Sequence, residues 1–200
     1  MSSTPATVEI PLFPLGTVLF PDGVLPLKLF EARYLDMAAR CMRAGSPFGV
    51  CLIREGGEVG QPAEPHEVGC IARIVDWDMN QPGLLFITTR GGERFRIVER
   101  EIRPDRLQMA HITPLPEPPV TGVPEPLLDL LPLLEAIVAD TGEKMFPPPH
   151  RFDDATWVGY RLAEALPIPP LARQRLLELD DTVSRLEIIH QYLQQHQLLG

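Results

Sequence analysis

Residues 10–53, IPLFPLGTVLFPDGVLPLKLFEARYLDMAARCMRAGSPFGVCLI, decide the fold. The apolar pieces Val8–Phe13, Val18–Phe20 and Leu25–Leu29 are separated by Pro14, Gly16, Pro21 and Gly23. Such short, proline-punctuated runs predict strands that leave a sheet at tight turns. A helix opens at Phe30-Glu31-Ala32-Arg33-Tyr34. Phe30, Tyr34, Met37, Ala38, Cys41 and Met42 then fall on one helical face. Gly45 and Pro47 end that helix, and Phe48–Arg54 is the next strand.

Working outward, the pattern stays β-rich. Val68–Trp77 is predicted as a strand buried on much of both faces, through Ile71, Ile74 and Val75. Leu84–Arg90 follows a turn at Asn80-Gln81-Pro82-Gly83. Glu93–Arg100 is predicted as a separate strand, with Phe95 and Ile97 on one face and Arg94 and Arg96 on the other. Leu107–Thr113 completes the set, with Leu107, Met109 and His111 sharing a face. About seven short strands with turns between them suggest a small closed or nearly closed barrel. Gly69, Gly91 and Gly92 suit bulges or tight turns. Glu31, Arg33 and Arg94 lie amid apolar runs and are expected to find ionic partners.

Thr113–Pro126, TPLPEPPVTGVPEP, holds neither a ladder nor a helix and reads as a stiff connector. Beyond it the pattern is helical. A run over Leu127–Ala139 is kinked by Pro132 or confined to a start near Leu131. A helix carrying Trp157, Val158, Leu162 and Ala165 is capped by Asp153 or Asp154 and stops at Pro167. Pro169-Pro170 starts another, and Asp180 or Asp181 caps a last one. The expected architecture is α+β: a small pseudo-β-barrel with one inserted helix over 1–113, a linker over 114–126, and a C-terminal helical bundle over 127–200.

Bulk properties narrow the function. The chain has 200 residues and 23 prolines, about twice the average share. Its formal charge of −9 favours solubility and disfavours phosphate backbones and anionic membrane surfaces. Cys41, Cys51 and Cys70 are odd in number, sit in or beside apolar runs and lack zinc-site spacing. They are expected as buried, reduced thiols. The start MSSTPATVEI has no basic region and no apolar core, and no run approaches the roughly 20 residues of a membrane span. A cytoplasmic protein is expected.

Catalytic signatures are sparse. There is no G-x-x-x-x-G-K-[ST] phosphate loop. The serines are Ser2, Ser3, Ser46 and Ser184 and the lysines Lys28 and Lys144. A serine nucleophile needs a neighbouring base, and Ser46 with Lys28 is a conceivable dyad; a cysteine–histidine pair is also open, since sequence does not show which residues meet in space. His66, His111, His150, His190 and His196 lack metal-helix spacing, so solvated or capping roles are expected. Asp76 and Asp78 flank Trp77 as a polar rim or a turn signal. No metal and no cofactor is expected.

Several blocks in order resemble the N-terminal substrate-binding domain of the Lon protease family, whose fold also occurs in cereblon. They are Ile10-Pro11-Leu12-Phe13-Pro14-Leu15, Val18-Leu19-Phe20-Pro21, the Phe30-Glu31-Ala32-Arg33-Tyr34 helix start, Phe48-Gly49-Val50, Val68-Gly69-Cys70-Ile71-Ala72-Arg73-Ile74 and Arg90-Gly91-Gly92-Glu93-Arg94-Phe95-Arg96-Ile97. Leu162–Ile168, Gln174–Asp180 and Arg185-Leu186-Glu187 look like the family's later blocks. The resemblance implies a non-catalytic module that binds unfolded or native protein segments, an adaptor or holdase beside a separate ATP-dependent protease. It implies a PUA-like barrel and a groove near that barrel and its junction with the helices. Phe30, Tyr34, Trp77, Phe95 and Trp157 are the aromatic candidates for that groove, each also readable as core. Arg33 and Arg94 are candidates for peptide carboxylates or carbonyls. Met145 and Phe146 sit on a proline-stiffened loop that suits docking or a plain spacer. A small hydrolase is one alternative. An RNA or small-molecule binder is another, resting on Arg90, Arg94, Arg96, Arg100, Arg103 and Arg106. The acidic neighbours Glu93, Glu99, Glu101 and Asp105 argue against it.

Overall fold

A computed structural model describes residues 7–198. The chain divides into two compact units, Met1–Pro116 and Glu117–Gly200. Ser2 and Ser3 lie outside the described residues.

In the first unit five strands close a barrel. They are β1 (Val8–Leu15), β3 (Phe48–Glu55), β5 (Val68–Gln81), β6 (Leu84–Ile102) and β7 (Gln108–Pro114). They pair in the order β1-β7-β6-β5-β3, and a parallel β1–β3 pairing, Leu12 with Gly49 through Leu15 with Leu52, closes the ring. The remaining pairings in the ring are antiparallel. Two short strands are appended. β2 (Val24–Leu29) pairs with β6, and β4 (Glu64–Pro65) pairs with β3.

Helix α1 (Ala32–Ala44) is built as its sequence dictates. Arg33, Tyr34, Met37, Ala38 and Cys41 are buried, and Gly45 ends the helix in the left-handed region at φ 62°. That stripe joins Phe13, Leu29, Phe48, Val50, Leu85 and Leu107 in the larger core cluster. A second cluster gathers Ile10, Leu12, Cys51, Ile71, Phe95 and Ile112.

Four expectations need correcting. Leu84–Arg90 and Glu93–Arg100 are one 19-residue strand, not two. The Gly91-Gly92 pair falls at a bulge, one of the two roles expected of it, and not at a turn: Cys70 faces Arg94 and Ala72 faces Gly91, so the β6 side carries one extra residue. A side chain on Gly91 would overlap the Phe20 carbonyl oxygen, and one on Gly69 would come within 2.5 Å of the Val50 carbonyl and 2.6 Å of Phe95. Val18–Phe20 forms no strand. It is a buried irregular segment that ends in a turn with Gly23 N–H on the Phe20 carbonyl. β5 is buried only over Val68–Ala72, and Val75 lies exposed where the strand runs on past the barrel into a three-stranded extension, β5-β6-β2. In β7, Gln108, Ala110 and Ile112 are buried along with Met109, whereas His111 is exposed.

The second unit is helical. A 3₁₀ turn (Glu125–Leu127) precedes α2 (Leu130–Thr141), whose start two residues before Pro132 spares the ring a clash. Then come α3 (Ala155–Ala165), α4 (Pro170–Glu178) and α5 (Thr182–Gln195). Asp154 caps α3 by accepting from Thr156 N–H, and Asp181 caps α5 by accepting from Ser184 N–H. Pro170 occupies the first turn of α4. Leu130, Leu134, Val158, Leu162, Leu186, Ile189 and Leu193 make its core.

Candidate functional site

The first unit carries a face of exposed apolar side chains around β2. Every residue of β2 pairs with β6, from Val24 opposite Arg90 to Leu29 opposite Leu85, and among the described residues β2 has no second strand neighbour. Pro26 in mid-strand fits that position, since a proline donates nothing to a ladder and is tolerated at an edge. Leu25, Leu27 and Leu29 line a groove of about 360 Å³ with Phe13, Leu15, Thr17, Phe30, Tyr34, Glu58 and Val59. Pro26 and Lys28 also border a second groove of about 240 Å³, walled by Asp76, Trp77, Asp78, Phe86 and Thr88. Trp77 is 58% exposed, Phe30 54% and Phe86 40%. Lys28 Nζ lies 5.9 Å from the Phe86 ring centroid.

The floor of the first groove is rigid. The Tyr34 ring stacks on Phe13 at 4.0 Å between centroids. The Arg33 guanidinium lies 4.6 Å from the Tyr34 ring, pairs with Glu31 at 3.1 Å and donates from Nη1 to the Arg106 carbonyl at 3.2 Å. Burial pushes the Tyr34 phenol above its ordinary pKa, with Arg33 pulling the other way. Gly16 N–H donates to Glu58 Oε1 at 2.6 Å, which ties the loop at one rim to the end of β1. At the other rim Asp76 accepts from Trp77 N–H and Asp78 from Asn80. The Asp76-Trp77-Asp78 trio therefore lies within β5 and not at a turn, which falls at Pro82-Gly83.

Of the nine candidate contact residues, Phe30, Trp77 and Met145 are exposed. Phe30 precedes α1 and points away from the stripe assigned to it. Arg33 and Tyr34 are buried beneath the first groove. Arg94 and Phe95 are fully buried in β6, where Arg94 Nη2 donates to the Pro116 carbonyl at 3.1 Å. In the second unit, Phe146 is buried and Trp157 packs edge-on against Phe152 at 5.3 Å. Arg94, Phe95, Phe146 and Trp157 are thus core side chains as they stand, and Pro26, Leu27, Lys28, Phe86 and Val59 are surface residues that sequence reasoning missed. The proline inside an apolar strand was the available signal for the first three. Phe86 sits in a continuous apolar run that does not tell one face from the other.

The groups that could do chemistry are held elsewhere. Cys41, Cys51 and Cys70 are buried thiols with no disulfide. Burial pushes Cys51 from 9.0 up to about 12 despite the Arg100 charge, and it raises Cys41 as well. A thiol so protonated is a poor nucleophile. Ser46 closes the end of α1 with its N–H on the Cys41 carbonyl. His150 bonds the Phe146 carbonyl at 2.9 Å, His190 bonds Asp129 Oδ2 at 2.9 Å, and His196 bonds the Tyr192 carbonyl at 2.8 Å. In the β6–β7 region Arg90 pairs with Asp22, Arg96 with Glu67, Arg100 with Glu64 and Arg103 with Glu9 and Glu101. Among the described residues, no group of three His, Cys, Asp or Glu is placed to hold a metal, and no helix is long and apolar enough to cross a membrane.

Residues 9–195 match the family model of the ATP-dependent protease La (LON) substrate-binding domain. The chain belongs to the Lon substrate-binding domain family. Among solved structures, it is similar to the Lon N-terminal domain protein from Xanthomonas campestris, with 34% identity, a TM-score of 0.78, and coverage of 92% of this chain and 98% of that one. The N-terminal domain of Mycobacterium avium complex Lon protease shares the fold, with a TM-score of 0.68 at 18% identity, covering 94% of this chain and all of that one. Among full-length relatives, Lon protease 2 of Myxococcus xanthus is 24% identical over 198 residues and Lon protease of Methylocella silvestris 26% identical over 195. This chain spans 23% of the length of each relative and is itself covered to 92% and 90%. The Lon substrate-binding domain thus accounts for nearly the whole chain, closed barrel and helical unit together.

Proposed function

We propose that this chain is a non-catalytic protein-binding module of the Lon type, which takes up unfolded or exposed protein segments through the face around β2 and presents them, as adaptor or holdase, to a separate ATP-dependent protease. One observation carries the reading: Phe30, Trp77 and Phe86 stand exposed beside two adjoining grooves on a rigid barrel. Soluble proteins seldom leave so many large apolar side chains together in water unless they meet a partner. Aromatic side chains ringed by charged ones are also what protein-binding patches are made of. The buried, protonated Cys51 thiol and the Lys28 amine seated over Phe86 count against the hydrolase reading. The neutralised arginines count against the RNA reading. Three reduced thiols fit a reducing compartment, and we place the protein in the cytoplasm.

Fluorescence anisotropy with a labelled, permanently unfolded protein tests this. Saturable binding is expected, with competition by unlabelled unfolded chains and none by the same protein folded. Trp77→Ala with Phe86→Ala should weaken binding tenfold or more while leaving the far-ultraviolet circular dichroism unchanged. Absence of saturable binding by the folded module, or cleavage of the unfolded protein by this chain alone, overturns the proposal.

A further inference from the structure

The backbone of β2 has a direction that the grooves do not by themselves reveal. Gly91 N–H donates to the Gly23 carbonyl at 2.8 Å, and Thr89 Oγ1 donates to the Leu25 carbonyl at 2.9 Å. Within a strand, alternate residues turn their N–H and C=O to opposite edges. The odd-numbered residues Leu25, Leu27 and Leu29 therefore face β6. Val24, Pro26 and Lys28 face outward, where β2 has no strand neighbour among the described residues. That edge offers two N–H donors and three carbonyls in the pattern an added strand would take. It also runs along both grooves: Leu25, Leu27 and Leu29 line the first, Leu27 also lines the second, and Pro26 and Lys28 line both. An extended segment laid along β2 would send alternate side chains into the two grooves, because successive side chains in a strand point to opposite faces. Over the six residues of β2 such a segment is about 20 Å long.

The charges choose among occupants. Glu31 and Glu58 stand at one groove and Asp76 and Asp78 at the other. Against these four carboxylates stand Lys28 and the buried Arg33. A second copy of the chain would set this acidic rim against itself, in a molecule of net charge −9. A segment with lysine or arginine beside its apolar residues meets the rim favourably.

We infer that the module holds its protein ligand as an added β-strand on the outer edge of β2, and that the preferred segment is extended, alternates apolar with small polar residues and carries basic residues at its ends. This rests on the protein-binding reading above and specifies how that binding is made. Backbone hydrogen bonds supply affinity without regard to sequence, and the two grooves and the acidic rim supply the preference. Strand addition also suits a partner that is unfolded, since only an unfolded or frayed chain has a backbone free to pair.

The test uses the full chain and a labelled peptide that alternates leucine or phenylalanine with threonine and ends in lysines. Three changes to the peptide separate the contributions. N-methylation of one alternating set of amides removes the hydrogen bonds to β2, and N-methylation of the other set faces solvent. One set is expected to weaken binding tenfold or more and the other to leave it within about threefold. Replacing the lysines by glutamates is expected to weaken binding at low salt by about tenfold, with the gap closing as salt screens the rim. Asp76→Asn with Asp78→Asn should shrink that same gap from both sides, the lysine peptide binding more weakly and the glutamate peptide more tightly. Amide hydrogen exchange at Val24 and Lys28 should slow when the peptide is bound.

The outcomes distinguish the two levels of the proposal. Binding that ignores both N-methylated sets and leaves β2 exchange unchanged overturns strand addition while the protein-binding reading stands. Failure of the peptide and of a permanently unfolded protein alike overturns both. Sedimentation of the unliganded chain as a dimer that Lys28→Glu disrupts would assign the edge to a second copy and overturn the occupant proposed here.

Discussion

Cys51 shows how one buried residue sets a limit on both chemistry and stability. Its thiol is fully enclosed between the barrel strands, and burial lifts its pKa from 9.0 to about 12. In the unfolded chain the same thiol loses its proton near its ordinary value. Above about pH 9 the unfolded state therefore binds fewer protons than the folded one, and stability falls as pH rises toward about 12. One proton contributes a slope of at most about 1.4 kcal/mol per pH unit over that window. Cys51→Ala removes this component. Its unfolding free energy should fall less steeply than that of the parent between pH 9 and 11, whatever cavity cost it carries at neutral pH. Urea titrations of both proteins across that range measure the two slopes, and equal slopes would mean that Cys51 does not couple folding to alkaline pH. Tyr34, also raised by burial, is present in both proteins and cancels in the comparison.

Elements are held by a few capping residues, and α3 is the clearest case. Asp154 adopts extended backbone and its Oδ1 accepts from Thr156 N–H at 3.0 Å, satisfying a donor that the helix cannot. The helix beyond it is buried along most of its length, so its start is fixed by this cap and not by solvent. Asp154→Ala should cost about 1 kcal/mol, and Asp154→Asn should recover most of it because asparagine caps as well as aspartate. Urea midpoints of the three proteins decide the matter; a loss in Asn equal to that in Ala would place the effect in the Arg151 ion pair at 3.8 Å instead. Caps of this kind are local, which is why the starts of α3, α4 and α5 and the Gly45 stop of α1 could be read from sequence. The β6 strand could not. Its Gly91-Gly92 pair is the commonest sign of a turn, but here glycine is required by the neighbouring Phe20 carbonyl, a residue 71 positions away. The exposed end of β5 escaped for the same reason: Ile74 still packs half-buried against the core, but Val75 looks like core until the barrel closes behind Ala72. Phe95 and Trp157 were legible both as groove aromatics and as core, and burial decides for core, since exposure depends on which strand or helix covers them.

Across the whole molecule, charge decides which partners remain open. The formal charge is −9, yet the arginines cluster along β6 and the turn after it, so the sign of the total does not by itself exclude a basic stripe. The pairing does. Asp22, Glu67, Glu64, Glu9 and Glu101 stand on Arg90, Arg96, Arg100 and Arg103, and Arg94 is fully buried. A phosphate chain approaching this side would have to displace carboxylates already in place, and it would release few counterions in doing so. The face proposed for binding lies instead where acidic groups outnumber basic ones, around β2. The same unit should therefore discriminate strongly between polyanions and cationic apolar segments. In a filter-binding assay at about 50 mM salt, where electrostatic association with nucleic acid is strong, single-stranded and double-stranded RNA should pass without retention at protein concentrations that saturate the lysine-flanked peptide. Reversing two of the partners, Glu67→Lys and Glu64→Lys, should create retention that declines linearly in the logarithm of salt concentration. RNA retained by the unmodified chain with that same salt dependence would show that the arginine pairs open on contact, and would return the β6–β7 side to the list of binding surfaces.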